Sequence, residues 1–137
     1  MVKVIIGNKG TGKTKMLIEL VNESAKKDSC TVCIEKGKKL TYEISHNVRL
    51  IDSLEFSIDC YENIYGLLCG VIASNYDVKD IFLDSIIKMA NSNDYDAMAI
   101  LLAKMENVCK DHEINFVVTV SADISEVPEG VAKFVGK

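Results

Sequence analysis

Arginine is almost missing from this sequence. Of its sixteen basic residues only Arg49 carries a guanidinium, which excludes a site built from several planar forks that grip phosphate or carboxylate bidentately. Positive charge as a whole is in deficit. The net charge of −4 gives no bulk attraction to nucleic acid or an anionic membrane, so either partner would need a local basic patch. Proline occurs once, at Pro128, and no low-complexity tract or solenoid-length repeat is present. Long apolar runs are missing too. Val2–Ile6 is too short for the core of a signal peptide and has no charged segment ahead of it; Ile64–Ala73 is broken by Gly66 and Gly70. Neither can span a bilayer, and a cytoplasmic location is expected.

Metal-type cysteine spacing is also lacking. Cys30 and Cys33 form a C-x-x-C, but they lie in "CTVCIE", a β-branched stretch where residues three apart point to opposite faces. No second C-x-x-C follows, and neither His46 nor His112 falls at a ligand spacing. The five cysteines read as free thiols.

What remains is an ordinary globular composition, 48% hydrophobic and 26% charged over 137 residues, long enough to bury roughly 68–70% of the surface its unfolded chain would expose. Short β-branched runs alternate with longer helical patterns, the signature of a parallel sheet with crossover helices. "VKVII" (2–6) opens the sheet, and residues 13–27 follow as a helix with Met16, Leu17, Leu20, Val21 and Ser24 on one stripe. "CTVCIE" (30–35) is the second strand. "LTYEI" (40–44) reads as a short hairpin arm and "VRLID" (48–52) as another strand. A helix over 60–74 is expected to take Asp59 as its cap and Glu62 as the matching capping-box acid. "DIFLDSI" (80–86) contains a main strand, and 94–112 is an amphipathic helix with Met98, Leu101, Met105 and Val108 on one face. "INFVVTV" (114–120) is a strand buried on both sides, and "VAKFV" (131–135) reads as the last strand. No linker divides these pieces, so residues 1–137 read as one domain.

The ligand class follows from the first loop. Gly7-Asn8-Lys9-Gly10-Thr11-Gly12-Lys13-Thr14 satisfies G-x-x-x-x-G-K-[ST], between a strand and an amphipathic helix. Its glycines let successive backbone N–H groups curl around a phosphate, and the helix turns its positive end to the same anion. In this pattern Lys13 bridges the β- and γ-phosphates, and the Thr14 hydroxyl ligates Mg²⁺. A metal-holding acid is then needed at the end of a neighbouring apolar strand. "IFLD" supplies Asp84, acting through water. The residue after it is Ser85, whose hydroxyl cannot polarise an attacking water as a carboxylate would.

With the loop, Asp84 and the order of elements in hand, the chain resembles the RecA-like branch of the P-loop NTPases. It is also similar to small bacterial P-loop proteins named after the twitching-motility ATPase, but the extra domain and the acidic and histidine boxes of that motor are not found. The resemblance implies a three-layer α/β sandwich around a mostly parallel sheet, with core strand order 5-1-4-3-2. It implies ATP and Mg²⁺ as ligands. It places a catalytic glutamate at Glu35, closing "TVCIE", although the same residue also fits an exposed place before the Lys36-Gly37 turn. Ser121 and Asp123 fall at the family's sensor position, where Ala122 stands in place of the usual glutamine. Self-association or a protein partner is the matching expectation, because sites of this branch often lie between subunits.

The lone Arg49 argues against a nucleoside or nucleotide kinase, and no N-K-x-D motif for guanine occurs, so adenine is preferred by elimination. Lys36, Lys38 and Lys39 read as a solvated turn, or as a contact for nucleic acid or a partner. Two functions stay open: a slow or partner-dependent ATPase, and a non-catalytic ATP-binding regulatory or interaction module.

Overall fold

The computed structural model describes residues 1–136. Five strands, all parallel, form one sheet: β1 (Val2–Gly7), β2 (Cys30–Glu35), β3 (Arg49–Asp52), β4 (Val78–Leu83) and β5 (Asn115–Ser121). Parallel neighbours cannot be joined by tight turns, so the chain needs crossovers. Helices α1 (Lys13–Ser24), α2 (Tyr61–Ser74), the short α3 (Ile86–Ala90) and α4 (Tyr95–His112) supply most of them; residues 36–48 link β2 to β3 without a helix, and α5 (Glu129–Ala132) follows the last strand.

Strand alternation sorts the core into two layers. Ile5, Cys33, Phe82 and Val117 face Leu17 and Val21 of α1, together with Leu40, Ile44 and Val48. Val4, Ile34, Ile81, Phe116 and Val118 face the other way, onto Ile64 and Leu68 of α2, Met98, Leu102 and Met105 of α4, and Val131 of α5. The result is an α/β arrangement with helices on both sides of a parallel sheet. Among the described residues, no helix is long and apolar enough to cross a membrane.

The strand order, β1-β5-β4-β2-β3, differs from the expected 5-1-4-3-2, and both edges of the sheet explain why. At one edge, "VAKFV" does not form a strand. Pro128 caps α5, its carbonyl accepting the N–H groups of Val131 and Ala132, and the buried pair Val131 and Phe134 follows helical rather than strand spacing. Only a single bridge, Val4 to Val135, touches β1 there. At the opposite edge, Arg49–Asp52 adds β3 alongside β2.

Three other expectations change. "LTYEI" is no hairpin arm: Leu40 and Ile44 are buried, Tyr42 is fully exposed, and the Leu40 carbonyl accepts the N–H groups of Glu43 and Ile44. That is one helical turn, whose four-residue spacing puts Leu40 and Ile44 on the same side as a strand would put Tyr42. The helix predicted over 13–27 closes at Ser24, and Met16 lies off its buried stripe. At α2 the cap is Cys60 rather than Asp59, and Asn63 Oδ1, not Glu62, accepts the Cys60 N–H at 3.1 Å.

Candidate functional site

β1 runs out at Gly7, paired with Ser121 of β5, and the chain turns back through residues 8–12 into α1. Two glycines make this turn in the left-handed region, Gly10 at φ 86° and Gly12 at φ 84°. A side chain at either would meet no atom within 4 Å, so glycine is required there by backbone conformation and not by crowding. Gly7 is the opposite case, since a Cβ there would stand 2.6 Å from Thr11 Oγ1. The Thr11 hydroxyl donates to the Asn8 carbonyl at 2.7 Å and ties the loop to itself.

Gly12 is the N-cap of α1 and brings no side chain, and no acid occupies the first turn. The free N–H groups that begin every helix therefore keep their positive potential here, with no capping side chain. Lys13, 9% exposed, extends its ammonium to the same Asn8 carbonyl at 2.9 Å. Burial pulls its pKa below the ordinary lysine value, and the Asp84 charge partly offsets this. A part-buried ammonium with one neutral carbonyl as its hydrogen-bond partner has donors left for an anion.

Asp84 follows β4 and is buried, with its N–H given to the Ile34 carbonyl at 2.9 Å. Its carboxylate lies 3.2 and 3.3 Å from Thr14 Oγ1 and receives the Thr119 hydroxyl at 2.7 Å. Thr119 in turn accepts the N–H of Ser85 at 2.7 Å, and Ser85 sits in the left-handed region at φ 60°. Thr119 is the site residue that sequence reasoning missed. Its signal is a lone hydroxyl inside the apolar run "FVVTV", where a buried polar group needs a partner.

A hydroxyl and a carboxylate in contact are hard oxygen donors of the kind Mg²⁺ takes. No group of three or more metal-ligating His, Cys, Asp or Glu side chains occurs among the described residues. Thr14 and Asp84 bring two oxygen donors together at one place. The other candidates divide. Asn8 supplies the carbonyl that both Thr11 and Lys13 use, whereas Lys9 is exposed.

Glu35 ends β2 and is 3% exposed, which overturns an exposed place before the turn. One of its oxygens accepts the Lys39 N–H at 3.2 Å and the other the Leu40 N–H at 2.9 Å. Burial pushes its pKa up; those two N–H groups pull it back, and Asp84 and Asp52 push it further up. Glu35 and Asp84 line one cleft of about 510 Å³, whose wall includes neither Lys13 nor Thr14.

At the end of β5, Ser121 is exposed beside Gly7, and the Ala122 N–H donates to the Gly7 carbonyl at 3.2 Å. Asp123 accepts the Ser125 N–H at 2.9 Å and the Ser125 hydroxyl at 2.7 Å, capping a 3₁₀ turn over Ile124–Glu126. These two bonds hold its carboxyl below the usual aspartate range. Arg49 lies at the amino end of β3, paired with Val32, about 10 Å along the strand from the edge where Asp84 sits. All five cysteines are free, and burial pushes the Cys33 thiol up to about 12, so it is no nucleophile at neutral pH.

No protein-family model matches the chain, and no curated protein matches it.

Proposed function

We propose that this chain binds ATP with Mg²⁺ in the manner of the RecA-like P-loop NTPases, and that it holds the nucleotide without turning it over efficiently. One observation carries the reading: Thr14, at the start of α1, and Asp84, seventy residues later at the end of β4, meet at 3.2 Å beside the glycine turn. Around that pair, the uncapped helix start and the under-partnered Lys13 ammonium both favour an anion.

Each residue then has a role. The N–H groups of the Gly7–Thr14 loop and the Lys13 ammonium would hold the phosphates, Thr14 and Asp84 would hold Mg²⁺, and Thr119 would orient Asp84. Bound Mg²⁺ would supply charge neutralisation on the phosphates. Adenine is preferred only because no guanine motif occurs in the sequence.

The absence of efficient hydrolysis rests on Glu35. A general base must be aimed at the attacking water; the Lys39 and Leu40 amides hold the Glu35 carboxylate at the turn after β2, in a cleft whose wall includes neither Lys13 nor Thr14. Ser85 offers no carboxylate next to Asp84. A non-catalytic regulatory or interaction module is thus favoured over a partner-dependent ATPase.

Titration calorimetry with ATP and Mg²⁺, run beside steady-state turnover, tests both halves. Wild type is expected to bind and Lys13→Ala to lose binding, with turnover at background in both. Lack of binding at millimolar nucleotide sinks the whole reading. Turnover that disappears in Glu35→Gln while binding persists sinks the non-catalytic half.

A further inference from the structure

We propose that the cleft at the carboxyl ends of β2 and β4 is a second binding site, for a small organic polyanion bearing two or more phosphate or carboxylate groups, held by Lys36, Lys38, Lys39 and Lys88. This site goes beyond the nucleotide reading and does not rest on it: Asp84 borders both, but Lys13 and Thr14 are not part of its wall.

The charge balance of the cleft is the first reason. Four lysines, Lys36, Lys38, Lys39 and Lys88, are among its lining residues, against two acids, Glu35 and Asp84. Both carboxylates are already engaged with the protein: Glu35 with the Lys39 and Leu40 amides, and Asp84 with the Thr14 and Thr119 hydroxyls. The lysines are not engaged in the same way. Lys36 reaches only the Lys88 carbonyl, at 3.3 Å. Lys38 pairs with Glu55 at 3.5 Å, with both side chains largely exposed, a kind of pair that contributes little. Lys39 and Lys88 have no ion pair among the described residues. In a chain of net charge −4, this is a local surplus of cations in a concave place, which focuses potential on an anion.

Construction is the second reason. The turn carrying three of the lysines is fixed from below by two acids. Asp52 Oδ1 accepts the Gly37 N–H at 2.8 Å, and Glu35 accepts the amides of Lys39 and Leu40. Gly37 takes φ 104°, and Leu40 is buried as an anchor. Such a loop holds the backbone that carries the lysines in place before a ligand arrives, which lowers the part of the ordering cost that falls on the main chain.

Shape and lining select the ligand class. About 510 Å³ is the size of a small-molecule pocket, and the edge beyond the carboxyl ends of parallel strands is where open α/β sheets bind ligands. Leu54 gives an apolar contact and Asn91 an amide. No aromatic side chain lines the cleft, so the stacking platform that single-stranded nucleic acid uses is missing.

Backbone amide shifts of the full chain test the site, with pyrophosphate as the phosphate probe and citrate as the carboxylate probe. The Lys13→Ala background in magnesium-free buffer removes the loop and metal chelation from the measurement. Either probe is expected to move the amides of Gly37–Leu40 and Lys88–Asn91, and the probe that binds more tightly names the anionic group. Adding Lys39→Ala and Lys88→Ala is expected to weaken binding at least about tenfold, while the same pair on wild type leaves ATP binding unchanged. Shifts confined to residues 7–14, equal affinity with and without the two lysines, or capture of a single-stranded oligonucleotide but of neither probe overturns the proposal. Loss of ATP binding by wild type, with the Gly37–Leu40 shifts intact, sinks the nucleotide reading and supports this one.

Discussion

Thr119 gives its hydroxyl proton to Asp84 Oδ1 at 2.7 Å and receives the N–H of the next residue, Ser85, at the same distance. One buried hydroxyl thus fixes the carboxylate that meets Thr14 and also satisfies a backbone donor in a left-handed turn. Thr14 is the looser partner, at 3.2 Å, so Asp84 is oriented mainly from below, by β5.

Replacing Thr119 with valine keeps the shape and removes both hydrogen bonds. Leaving the Ser85 N–H unpaired is expected to cost about 1–3 kcal/mol of stability, read by denaturant unfolding. A carboxylate freed from its outer partner should also bind metal roughly 10–100-fold more weakly, seen as loss of the Mg²⁺-dependent part of ATP affinity. Thr119→Ser, which restores the hydroxyl, is expected to recover most of the metal term. A valine variant with unaltered Mg²⁺ dependence would remove Thr119 from the site.

The loop glycines should respond to alanine in two different ways. At Gly10 and Gly12 only the positive φ opposes a side chain, so each alanine is expected to cost about 1–2 kcal/mol, with no neighbour able to relieve it. At Gly7 the new methyl group collides with Thr11 Oγ1 and displaces the bond to Asn8. Adding Thr11→Ala should then recover part of the Gly7→Ala loss, a coupling of roughly 0.5–3 kcal/mol in a double-mutant cycle. Strict additivity would show that crowding at Gly7 is relieved elsewhere.

These contrasts bear on how much was legible in the sequence. The parallel α/β arrangement is legible because short apolar, β-branched runs alternate with long segments of helical period. Thr14 and Asp84 are legible as a pair because one lies in a contiguous motif and the other closes an apolar strand. Thr119 hides because threonine is itself a strand former, and its hydroxyl counts only once β4 is known to lie beside β5. Glu35 is found by position, yet its burial is not, because its partners are main-chain amides that carry no sequence signal. The 40–44 segment misleads through Tyr42, whose exposed ring completes a false alternation. At the sheet edge, Pro128 turns "VAKF" into a helical turn that β-branched composition does not announce.

Glu35 makes a prediction about pH. Its folded pKa is raised above the ordinary glutamate value of 4.5, chiefly by burial. Relative to a neutral side chain, its contribution is therefore fully present below the unfolded value and is lost as pH rises through the folded one. The stability of wild type minus that of Glu35→Gln is expected to fall as pH increases from about 4.5 upward, and to level off once the folded carboxyl is ionised. Thermal unfolding at a series of pH values measures the difference. A gap that widens with pH would mean that the Lys39 and Leu40 amides outweigh burial.

Lys13 links stability to binding most directly. The residue is 9% exposed, its pKa is pulled down by desolvation, and its one hydrogen bond goes to a carbonyl that Thr11 also serves. Lys13→Met removes the desolvated charge, keeps the apolar stem and leaves the Asn8 carbonyl with its Thr11 donor. Without nucleotide the variant is expected to be more stable than wild type by roughly 1 kcal/mol, the usual gain when a functional group that opposes stability is removed. With ATP and Mg²⁺ the order should reverse, because only wild type gains the mass-action term of a bound ligand, about 2.7 kcal/mol at a hundredfold excess over Kd. Melting curves of both proteins with and without nucleotide give all four values. Loss of stability in the ligand-free variant would make Lys13 a structural residue; an equal nucleotide shift in both would remove it from the phosphate site.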